Sequence, residues 1–565
     1  MRKTKVVLAK VLTAAMVISS FAGVQGITSE AAAKPKLSKK SVSITVGKTK
    51  KITVKNAKKY KVSWKMKSKK IASFKKSGKY AVKVKAKKAG KTTLTATIKK
   101  GKKTKKLVCK ITVKKNSPKV TKTPVNTPTP LPSNTPKTTA VPTATATAEP
   151  QDTTPAMKEI FKGVIDNVGT CLTYNQTWNK RKEMQDASTM EFVDKHFNSF
   201  TLENEMKPDS MLNKDKKTTI SVADAKAKGY VISDDYKEST VPELSLETID
   251  GVLAIAKQHN IRMRAHTLMW HQQTPTWFFK KNYDDNEAVV DEATMNARLE
   301  FFVRTIMRHT MQKEKELTGE VGSIVYAWDV LNEYIHRSNA PEAATWVSVY
   351  GDMGLKPTYV KAAFEYAYDE LKKENVQDKV TLFYNDYDTY FSVDDELALI
   401  SYINEGEKAK ICGGIGMQSH VDIKRPTLEE YGNALKAFIN AGLEVQITEL
   451  DITINFDTDD TDGRTPSYGY KNEKETDADQ AAFTKDFIKQ IVDIQKNRDK
   501  TKSPKGITGI TVWGISDQTS WRGSCKPLFF KRKNVSVKDE TTGKYKTVYT
   551  YVPKKSYEAM IEALK

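Results

Sequence analysis

The stretch YAWDVLNEYIH, residues 326–336, decides the fold of the larger part of this chain. Its first residues continue an apolar run of the kind found in a buried β-strand, and the run ends at an amide and a carboxylate side by side, Asn332 and Glu333. Burying such a polar pair without partners is costly. The pattern therefore predicts a buried strand whose carboxyl end opens into a site.

Seven other stretches after residue 155 are also strand candidates, and helix-like runs such as 357–374 and 478–496 lie between most of them. Repeated βα units imply a parallel sheet with right-handed crossovers, and eight units favour a closed (β/α)₈ barrel, the TIM barrel of the α/β class. An open doubly wound sheet is the alternative, but no GxGxxG follows the first strand. The eight strand candidates are residues 167–174, 197–204, 261–270, 324–333, 380–387, 411–420, 444–451 and 509–517.

Two carboxylates stand out among the polar residues at the strand ends: Glu333 on the fourth strand and Glu449, within ITELD, on the seventh. All eight carboxyl ends of such a barrel meet on one face, where active sites are built. Three βα units separate the two residues, so they should face each other across the barrel mouth. Two facing carboxylates without a metal cluster suit cleavage of a glycosidic bond.

Four tryptophans in the same region strengthen this reading. The flat apolar face of a sugar ring packs on an indole, while its hydroxyl groups bind amide, imidazole and ammonium groups. Each tryptophan alone is more often part of a core, and a lone strand-end glutamate more often forms a salt bridge. The joint placement at strand ends favours a carbohydrate cleft lined by Trp270, Trp277, Trp513 and Trp521.

The first 155 residues have a different character. Residues 1–33 combine a basic start, an apolar run too short to span a bilayer and a small-residue end at Ala31–Ala33, which predicts a secretory signal peptide; an uncleaved membrane anchor is the alternative. We therefore expect a secreted, extracellular protein. Residues 116–155 are rich in Thr and Pro and predict an extended linker.

Residues 34–115 contain 32 Lys and no acidic residue, so they carry most of the net charge of +27 and leave residues 156–565 at −9. Short runs that alternate apolar residues with Lys or Ser, such as KITVK and YAVKVKA, predict a small antiparallel sandwich. With Ser63-Trp64 and the turn at Ala89–Lys91, this segment resembles bacterial immunoglobulin-like domains. Its lysines form either a solvated face or a contact surface for an anionic cell-wall polymer, such as teichoic acid or an acidic glycan.

The cysteines are Cys109, Cys171, Cys412 and Cys525, scattered without a CxxC pair or a Cys/His cluster. This spacing indicates buried or free thiols rather than a disulfide framework or structural zinc. We expect no cofactor, no metal, no nucleic-acid partner and a monomer. The predicted domains are thus a signal peptide (1–33), a Lys-rich sandwich (34–115), a linker (116–155) and a catalytic barrel (156–565).

Seven ordered motifs from residue 157 onward resemble those of family 10 glycoside hydrolases, chiefly endo-1,4-β-xylanases. The resemblance implies an enzyme that hydrolyses internal bonds of xylan with retention. The motifs are HFNSFTLENEMKPD (196–209), RAHTLMWHQQTPTWF (264–278), WDVLNE (328–333), FYNDYD (383–388), GIGMQSH (414–420), ITELDI (447–452) and WGISDQTSWR (513–522).

The resemblance also implies roles. Glu449 would be the nucleophile and Glu333 the acid and base, with the pKa of Glu333 raised by the nearby carboxylate and by burial. His420 and Asp451 would orient Glu449. Asn332 would bind the 2-hydroxyl of the sugar at the cleavage site, and Tyr387 would stack on the leaving-group side. The other implied substrate-binding residues are Glu203, Asn204, Lys207, His266, Trp270, Gln273, Gln418, His420, Trp513 and Trp521.

Two further functions remain open from the residues alone. The same barrel hydrolyses β-1,4-glucan if it admits one extra hydroxymethyl group per ring, and a chain without turnover would be a carbohydrate-binding or wall-binding protein. Two extra stretches, residues 228–243 and 456–476, should emerge near the cleft, so the preferred substrate length and branching do not follow from the resemblance.

Overall fold

The computed structural model describes residues 35–39, 41–46, 48–57, 60–100, 103–114, 154–176, 180–455, 475–538 and 545–565. Two compact units meet in sequence between Thr145 and Ala146, and each is considered by itself. The predicted signal peptide, nearly all of the predicted linker and most of the stretch 456–476 lie outside the described residues.

The first unit is a sandwich of two four-stranded sheets, ordered β1-β3-β6-β5 and β2-β8-β7-β4. Apolar side chains from both sheets, such as Ile52, Val84, Leu94 and Ile111, share one core, while the lysines between them point outward. The strands are β1 (Lys36–Leu37), β2 (Ser41–Thr45), β3 (Thr49–Lys55), β4 (Lys61–Met66), β5 (Ala72–Gly78), β6 (Ala81–Ala86), β7 (Gly90–Lys100) and β8 (Lys103–Lys114).

The predicted small all-β sandwich is confirmed, with two corrections. The prediction of a purely antiparallel arrangement is wrong for one pair, because β2 runs parallel to β8. Strands β1 and β5 were not anticipated: β1 has only two residues, and β5 (ASFKKSG) has two adjacent lysines that interrupt the alternation of apolar and polar residues.

The second unit is a closed barrel of eight parallel strands, as predicted. The pairing runs β9-β10-β13-β14-β15-β16-β18-β19 and returns from β19 to β9. The strands of this unit are β9 (Asn167–Leu172), β10 (Ser199–Leu202), β11 (Thr219–Ser221), β12 (Thr240–Pro242), β13 (Arg262–Trp270), β14 (Val325–Asn332), β15 (Thr381–Asp386), β16 (Gly414–Met417), β17 (His420–Asp422), β18 (Glu444–Thr453), β19 (Ile507–Val512), β20 (Phe530–Lys538) and β21 (Tyr545–Pro553).

Helices cover the outside of the barrel and bury one apolar side each. In α8, for example, Val360, Ala363, Phe364 and Ala367 recur at helical spacing and all are buried. The helices are α1 (Met157–Ile160), α2 (Ala187–His196), α3 (Pro208–Met211), α4 (Val222–Ala227), α5 (Leu246–Gln258), α6 (Glu292–Thr318), α7 (Ala343–Tyr350), α8 (Thr358–Lys373), α9 (Val393–Ile403), α10 (Leu428–Asn440), α11 (Asp477–Asn497) and α12 (Lys555–Ala563).

Short 3₁₀ turns and two hairpins lie outside the barrel wall. Strand β11 pairs with β12, which lies within the extra stretch 228–243, and β20 pairs with β21 close to the C-terminus. Among the described helices, none is long and apolar enough to cross a membrane. The 3₁₀ turns are Glu183–Gln185, Thr276–Phe279, Lys281–Tyr283, Arg337–Asn339, Thr389–Phe391 and Gly523–Cys525.

The barrel has the eight strands that the sequence predicts, but one predicted strand is divided in two. Residues 411–420 form β16 and then, after a break, β17. Ser419 has φ = 63°, a left-handed conformation that ends extended pairing. All four cysteines are buried thiols, as predicted.

Candidate active site

The carboxyl ends of β14, β15 and β18 bring two glutamates into one hydrogen-bonded cluster. Asn385 donates its Nδ2 to Glu449 Oε1 at 2.9 Å and to Asn332 Oδ1 at 2.9 Å. Gln418 donates to Glu333 Oε1 at 3.0 Å and to Asn332 Oδ1 at 3.3 Å. Three amides therefore link the two carboxylates across the barrel mouth.

Glu333 ends β14 because its backbone leaves the extended region. Its φ is 56°, a left-handed conformation that is uncommon for residues other than glycine, and its N–H donates to the carbonyl oxygen of Asn385 at 2.8 Å. Trp270 Nε1 donates to Glu333 Oε2 at 3.0 Å, and Asn332 Nδ2 donates to Oε1 at 3.2 Å. The turn thus places the Glu333 carboxylate within hydrogen-bonding distance of two neutral donors, the Trp270 indole and the Asn332 amide.

The surroundings of Glu333 hold its proton. Burial raises the pKa of Glu333 to about 7, and the negative charges of Asp386 and Glu449 act in the same direction, while the Gln418 hydrogen bond and Lys207 oppose them. The prediction of a raised pKa agrees with this value. Burial is the first cause, however, and Asp386 outweighs Glu449 as the second.

Glu449 lies among cations. His420 Nε2 is 3.2 Å from Glu449 Oε2, and His420 Nδ1 is 2.9 Å from Asp451 Oδ2. The imidazole therefore links the Glu449 carboxylate to the Asp451 carboxylate. Trp521 Nε1 donates to Asp451 Oδ2 at 3.0 Å, and Arg522 donates to its Oδ1 at 3.2 Å. This arrangement fixes the imidazole against Glu449.

The charges around Glu449 keep it ionised. Burial would raise the pKa of Glu449, but the hydrogen bond from His420 and the charges of His266, His420 and Lys207 lower it to about 2. Burial would likewise lower the pKa of His420, but Asp451 and Glu449 raise it to about 9. The two glutamates therefore differ in protonation near neutral pH.

A buried ion pair of Arg264 and Asp329 contacts His266. Arg264 contacts Asp329 through both guanidinium nitrogens, and Asp329 lies 2.8 Å from His266 Nδ1. All three side chains are almost fully buried. Trp513 is edge-on to both His266 and His420, with ring centroids 6.0 and 6.2 Å apart.

The remaining predicted binding residues extend away from this centre. Lys207 lies 4.8 Å above the Trp270 ring and donates to Asn204 Oδ1 at 3.3 Å. Glu203 pairs with Arg181 at 2.8 Å, next to the same strand end.

Two of the predicted binding residues lie at the edges of the site. Tyr387 stacks on His336 at 4.1 Å, and Asn339 donates to its hydroxyl oxygen at 2.7 Å. Gln273 contacts Asp209 at 3.4 Å rather than either central glutamate.

Trp277 does not line the cleft, contrary to expectation. It is buried in the main hydrophobic core and packs against Phe278 and Tyr283. It lies in the 3₁₀ turn Thr276–Phe279, whose aromatic residues Phe278 and Phe279 are also buried. The other three tryptophans of the predicted cleft, Trp270, Trp513 and Trp521, do contact the groups around the two glutamates.

Sequence reasoning missed three residues of this site. Asn385 bridges Glu449 and Asn332, as described above. Asp386 is fully buried and accepts from the Tyr387 N–H at 2.8 Å, and His336 lies 2.8 Å from its Oδ1. The motif FYNDYD contained the signal for both strand residues, because both follow an apolar run at the carboxyl end of a predicted barrel strand, where active sites are built.

The site suits hydrolysis of a glycosidic bond. Among the described residues, no cluster of three or more His, Cys, Asp or Glu side chains has the arrangement of a metal site. One carboxyl that retains its proton and one that stays ionised, both at the same barrel mouth, form the carboxyl pair of a glycoside hydrolase.

Comparisons with known proteins agree with this class. The sequence profile of glycosyl hydrolase family 10 matches residues 156–547, more than half of the chain. The chain therefore belongs to glycosyl hydrolase family 10.

Two xylanases are similar to much of this chain. Endo-1,4-beta-xylanase A of Butyrivibrio fibrisolvens is 40% identical over 353 residues, which cover 62% of this chain and 77% of that protein. The bifunctional endo-1,4-beta-xylanase XylA of Ruminococcus flavefaciens is 31% identical over 61% of this chain, but the match covers only 30% of that longer protein.

One solved structure aligns with the barrel and contains a bound sugar. It comprises the CBM22-1 and GH10 modules of the Clostridium thermocellum endo-1,4-beta-D-xylanase 10B in complex with xylohexaose. The two chains are 27% identical with a TM-score of 0.50, and the alignment covers 72% of this chain and 68% of that one.

Proposed function

We propose that this chain is an endo-1,4-β-xylanase that hydrolyses internal β-1,4-xylosidic bonds of xylan by double displacement. One observation carries the proposal: the pKa values of two glutamates in one site are shifted in opposite directions, to about 7 for Glu333 and about 2 for Glu449. Enzymes give two carboxyl groups separate roles, as acid and as nucleophile, by shifting their pKa values apart in this way. The xylanase names of its relatives and the xylohexaose in the aligned structure support the choice of substrate.

In the first half-reaction Glu449 attacks the anomeric carbon as a carboxylate, while Glu333 gives its proton to the departing glycosidic oxygen. The bond to that oxygen breaks as the ester bond to Glu449 forms. Retention requires about 5–5.5 Å between the two carboxyl groups, which leaves no space for an intervening water molecule. His420, fixed by Asp451, orients the attacking carboxylate.

In the second half-reaction Glu333, now ionised, takes a proton from a water molecule that attacks the anomeric carbon. Glu449 leaves as a carboxylate and Glu333 regains its proton, so the cycle closes. Ester formation removes the negative charge of Glu449, one of the groups that raise the pKa of Glu333. The loss of that charge favours release of the Glu333 proton at the point where a base is needed.

Polar and aromatic side chains around the pair are proposed to bind the sugar. Asn385 and Gln418 both donate to Asn332 Oδ1. The Nδ2 group of Asn332 is therefore left to face Glu333 and the 2-hydroxyl of the sugar at the cleavage site. Lys207, Trp270 and Trp513 would contact the non-reducing side, and Tyr387 the leaving-group side. An indole face and a charged amine are typical partners for a sugar ring and its hydroxyls.

The direct test is chromatography of oligosaccharides released over time from soluble xylan, with a cellulose derivative in parallel and Glu449→Ala as control. Early release of mixed xylo-oligomers by the intact protein alone is the expected result. Products from the cellulose derivative alone would instead make the chain a glucanase. Zero turnover on both polymers would leave a binding protein.

The location of the protein and its second partner are also part of the proposal. Residues 1–33 would direct secretion, and the Lys-rich residues 34–115 would hold the enzyme reversibly to an anionic cell-wall polymer. The first is checked by N-terminal sequencing of the protein recovered from the medium, which should begin near residue 34. The second is checked by wall binding that falls with added salt; equal binding by a chain that starts at residue 156 would contradict it.

A further inference from the structure

The two outer faces of the sandwich carry lysine in different arrangements. On the β1-β3-β6-β5 sheet, Lys51 of β3 is directly opposite Lys83 of β6, and Lys83 is directly opposite Lys75 of β5. All three side chains are exposed. Three like charges therefore stand in one row across three neighbouring strands, which we call the lysine row (Lys51, Lys83 and Lys75).

Within its described strands, the other sheet places at most two lysines opposite each other: Lys61 of β4 is directly opposite Lys99 of β7, but Lys99 is opposite Thr104 of β8. Lys65 of β4 is opposite Thr95 of β7, while Lys106 and Lys110 of β8 are opposite Thr97 and Thr93 of β7. The lysine side chains are again exposed. Both faces thus offer several lysines, but only the first places three of them in register across adjacent strands.

The lysine row lowers the stability of the free sandwich. Strands lie about 4.8 Å apart, and like charges on directly opposite residues are destabilising. Residues 34–115 contain no acidic residue, so no carboxylate within this segment neutralises the row. A ligand that carries closely spaced negative charges would remove this repulsion on binding.

The chemistry of the face indicates which anion it fits. The segment contains lysine but no arginine, and lysine binds phosphate as a point charge, without the fork by which arginine pairs with carboxylates and phosphates alike. The outward positions of β3, β5 and β6 within the described strands carry Lys, Thr, Ser and Ala and no aromatic ring. Sugars and nucleic-acid bases are usually bound by such rings.

We propose that the lysine row binds a linear polyol-phosphate polymer, with successive phosphates lying across β3, β6 and β5. The inference rests on the proposed attachment of residues 34–115 to an anionic polymer and assigns that attachment to one face. Thr49 and Ser73 flank Lys85 in the next row of the same face and provide hydroxyl donors beside the phosphates.

The experiment compares two triple variants of the full chain that lose the same charge. Lys51→Gln, Lys75→Gln and Lys83→Gln together remove the row; Lys65→Gln, Lys106→Gln and Lys110→Gln together form the matched control. Binding to poly(glycerol phosphate) is measured against salt concentration. The row variant should bind roughly tenfold to a hundredfold more weakly at low salt, and its log–log salt slope should fall by about two, while the control changes by less than about threefold.

A second measurement tests the stored repulsion. Backbone amides of β3, β5 and β6 should exchange their hydrogens roughly fivefold more slowly in the row variant than in the unmodified chain, because two like-charged pairs are removed. The control variant should show no such slowing. Added polymer should slow exchange at the same amides in the unmodified chain, which also shows that the sandwich is folded.

Each failure has a separate meaning. If the unmodified chain does not bind the polymer, the proposed attachment itself is wrong. If it binds and both triple variants weaken binding equally, attachment depends on total charge and the assignment to the lysine row is wrong. Equal or tighter binding of glucuronoxylan or single-stranded DNA at matched charge would overturn the choice of a polyol phosphate.

Discussion

The two glutamates of the barrel mouth share one site, and burial acts to raise the pKa of both, yet their surroundings drive them to opposite protonation states. Glu333 faces neutral amide and indole donors and the negative charge of Asp386, so its pKa rises to about 7. Glu449 faces His420 and Lys207, so its pKa falls to about 2 although burial alone would raise it. Burial therefore does not decide which group is the acid; the charge of the neighbours does.

The largest effect should come from removing the ionised member of the pair. Glu449→Ala should lower kcat on xylan by about 10⁴-fold or more, because no group remains to form the covalent intermediate. Azide added with an activated aryl xylobioside should occupy the space of the lost carboxylate and yield a glycosyl azide of inverted configuration. A retained product from this variant would contradict the assignment of Glu449 as nucleophile.

Removing the protonated member should cost less and leave a different signature. Glu333→Ala should lower kcat on xylan by about 10²–10⁴-fold, the usual contribution of a general acid and base. An aryl xylobioside whose leaving group needs no proton should lose much less in the first step. Here azide should attack the intermediate on Glu449 and give a product of retained configuration, opposite to that of Glu449→Ala. Identical azide products from both variants would remove the distinction between the two glutamates.

A third prediction concerns the discrimination between xylose and glucose for the sugar ring that binds beside Glu449. Trp513 is nearly buried and lies edge-on to His266 and His420. Glucose differs from xylose by one hydroxymethyl group, and a group of that size is worth roughly 10–200-fold in discrimination. Trp513→Ala should therefore raise the ratio of kcat/KM for an aryl cellobioside over an aryl xylobioside by about tenfold. An unchanged ratio would show that Trp513 does not exclude that group.

The barrel could be predicted from the sequence because its strands are buried on both sides. Such strands read as nearly continuous apolar runs, and the eight stretches lie close to the observed strands. The prediction was less complete where burial is one-sided or interrupted. Strand β5 carries two adjacent lysines, and the hairpin β20–β21 is largely exposed, so neither has a clear apolar pattern.

The site was predictable in its central residues but not in its electrostatics. Glu333 and Glu449 follow apolar runs, which marks them in the sequence. Asp386 also follows one, but its effect depends on full burial beside Glu333, and a linear sequence does not show which of several strand-end carboxylates is buried. Trp277 was misplaced for the same reason, because its composition and position do not distinguish a core indole from a cleft indole.

The smallest predicted effect tests the group that the sequence did not reveal. Asp386 is buried between His336 and the Tyr387 N–H, and its negative charge raises the pKa of Glu333. Asp386→Asn removes that charge, so Glu333 should lose its proton at lower pH. The alkaline limb of kcat/KM, which reports the free enzyme and should lie near pH 7, should move down by roughly one pH unit and cost about fivefold in kcat/KM at pH 7.

Asp352→Asn is the matched control for this change, because Asp352 pairs with Arg337 at 3.1 Å on the protein surface and is 76% exposed. Its pH profile should keep the limb of the unmodified enzyme. If Asp386→Asn lowers activity equally at every pH and leaves the limb near pH 7, Asp386 only holds His336 and the loop in place. Burial would then be sufficient to keep the proton on Glu333, and the contrast between the two glutamates would depend on the cations around Glu449 alone.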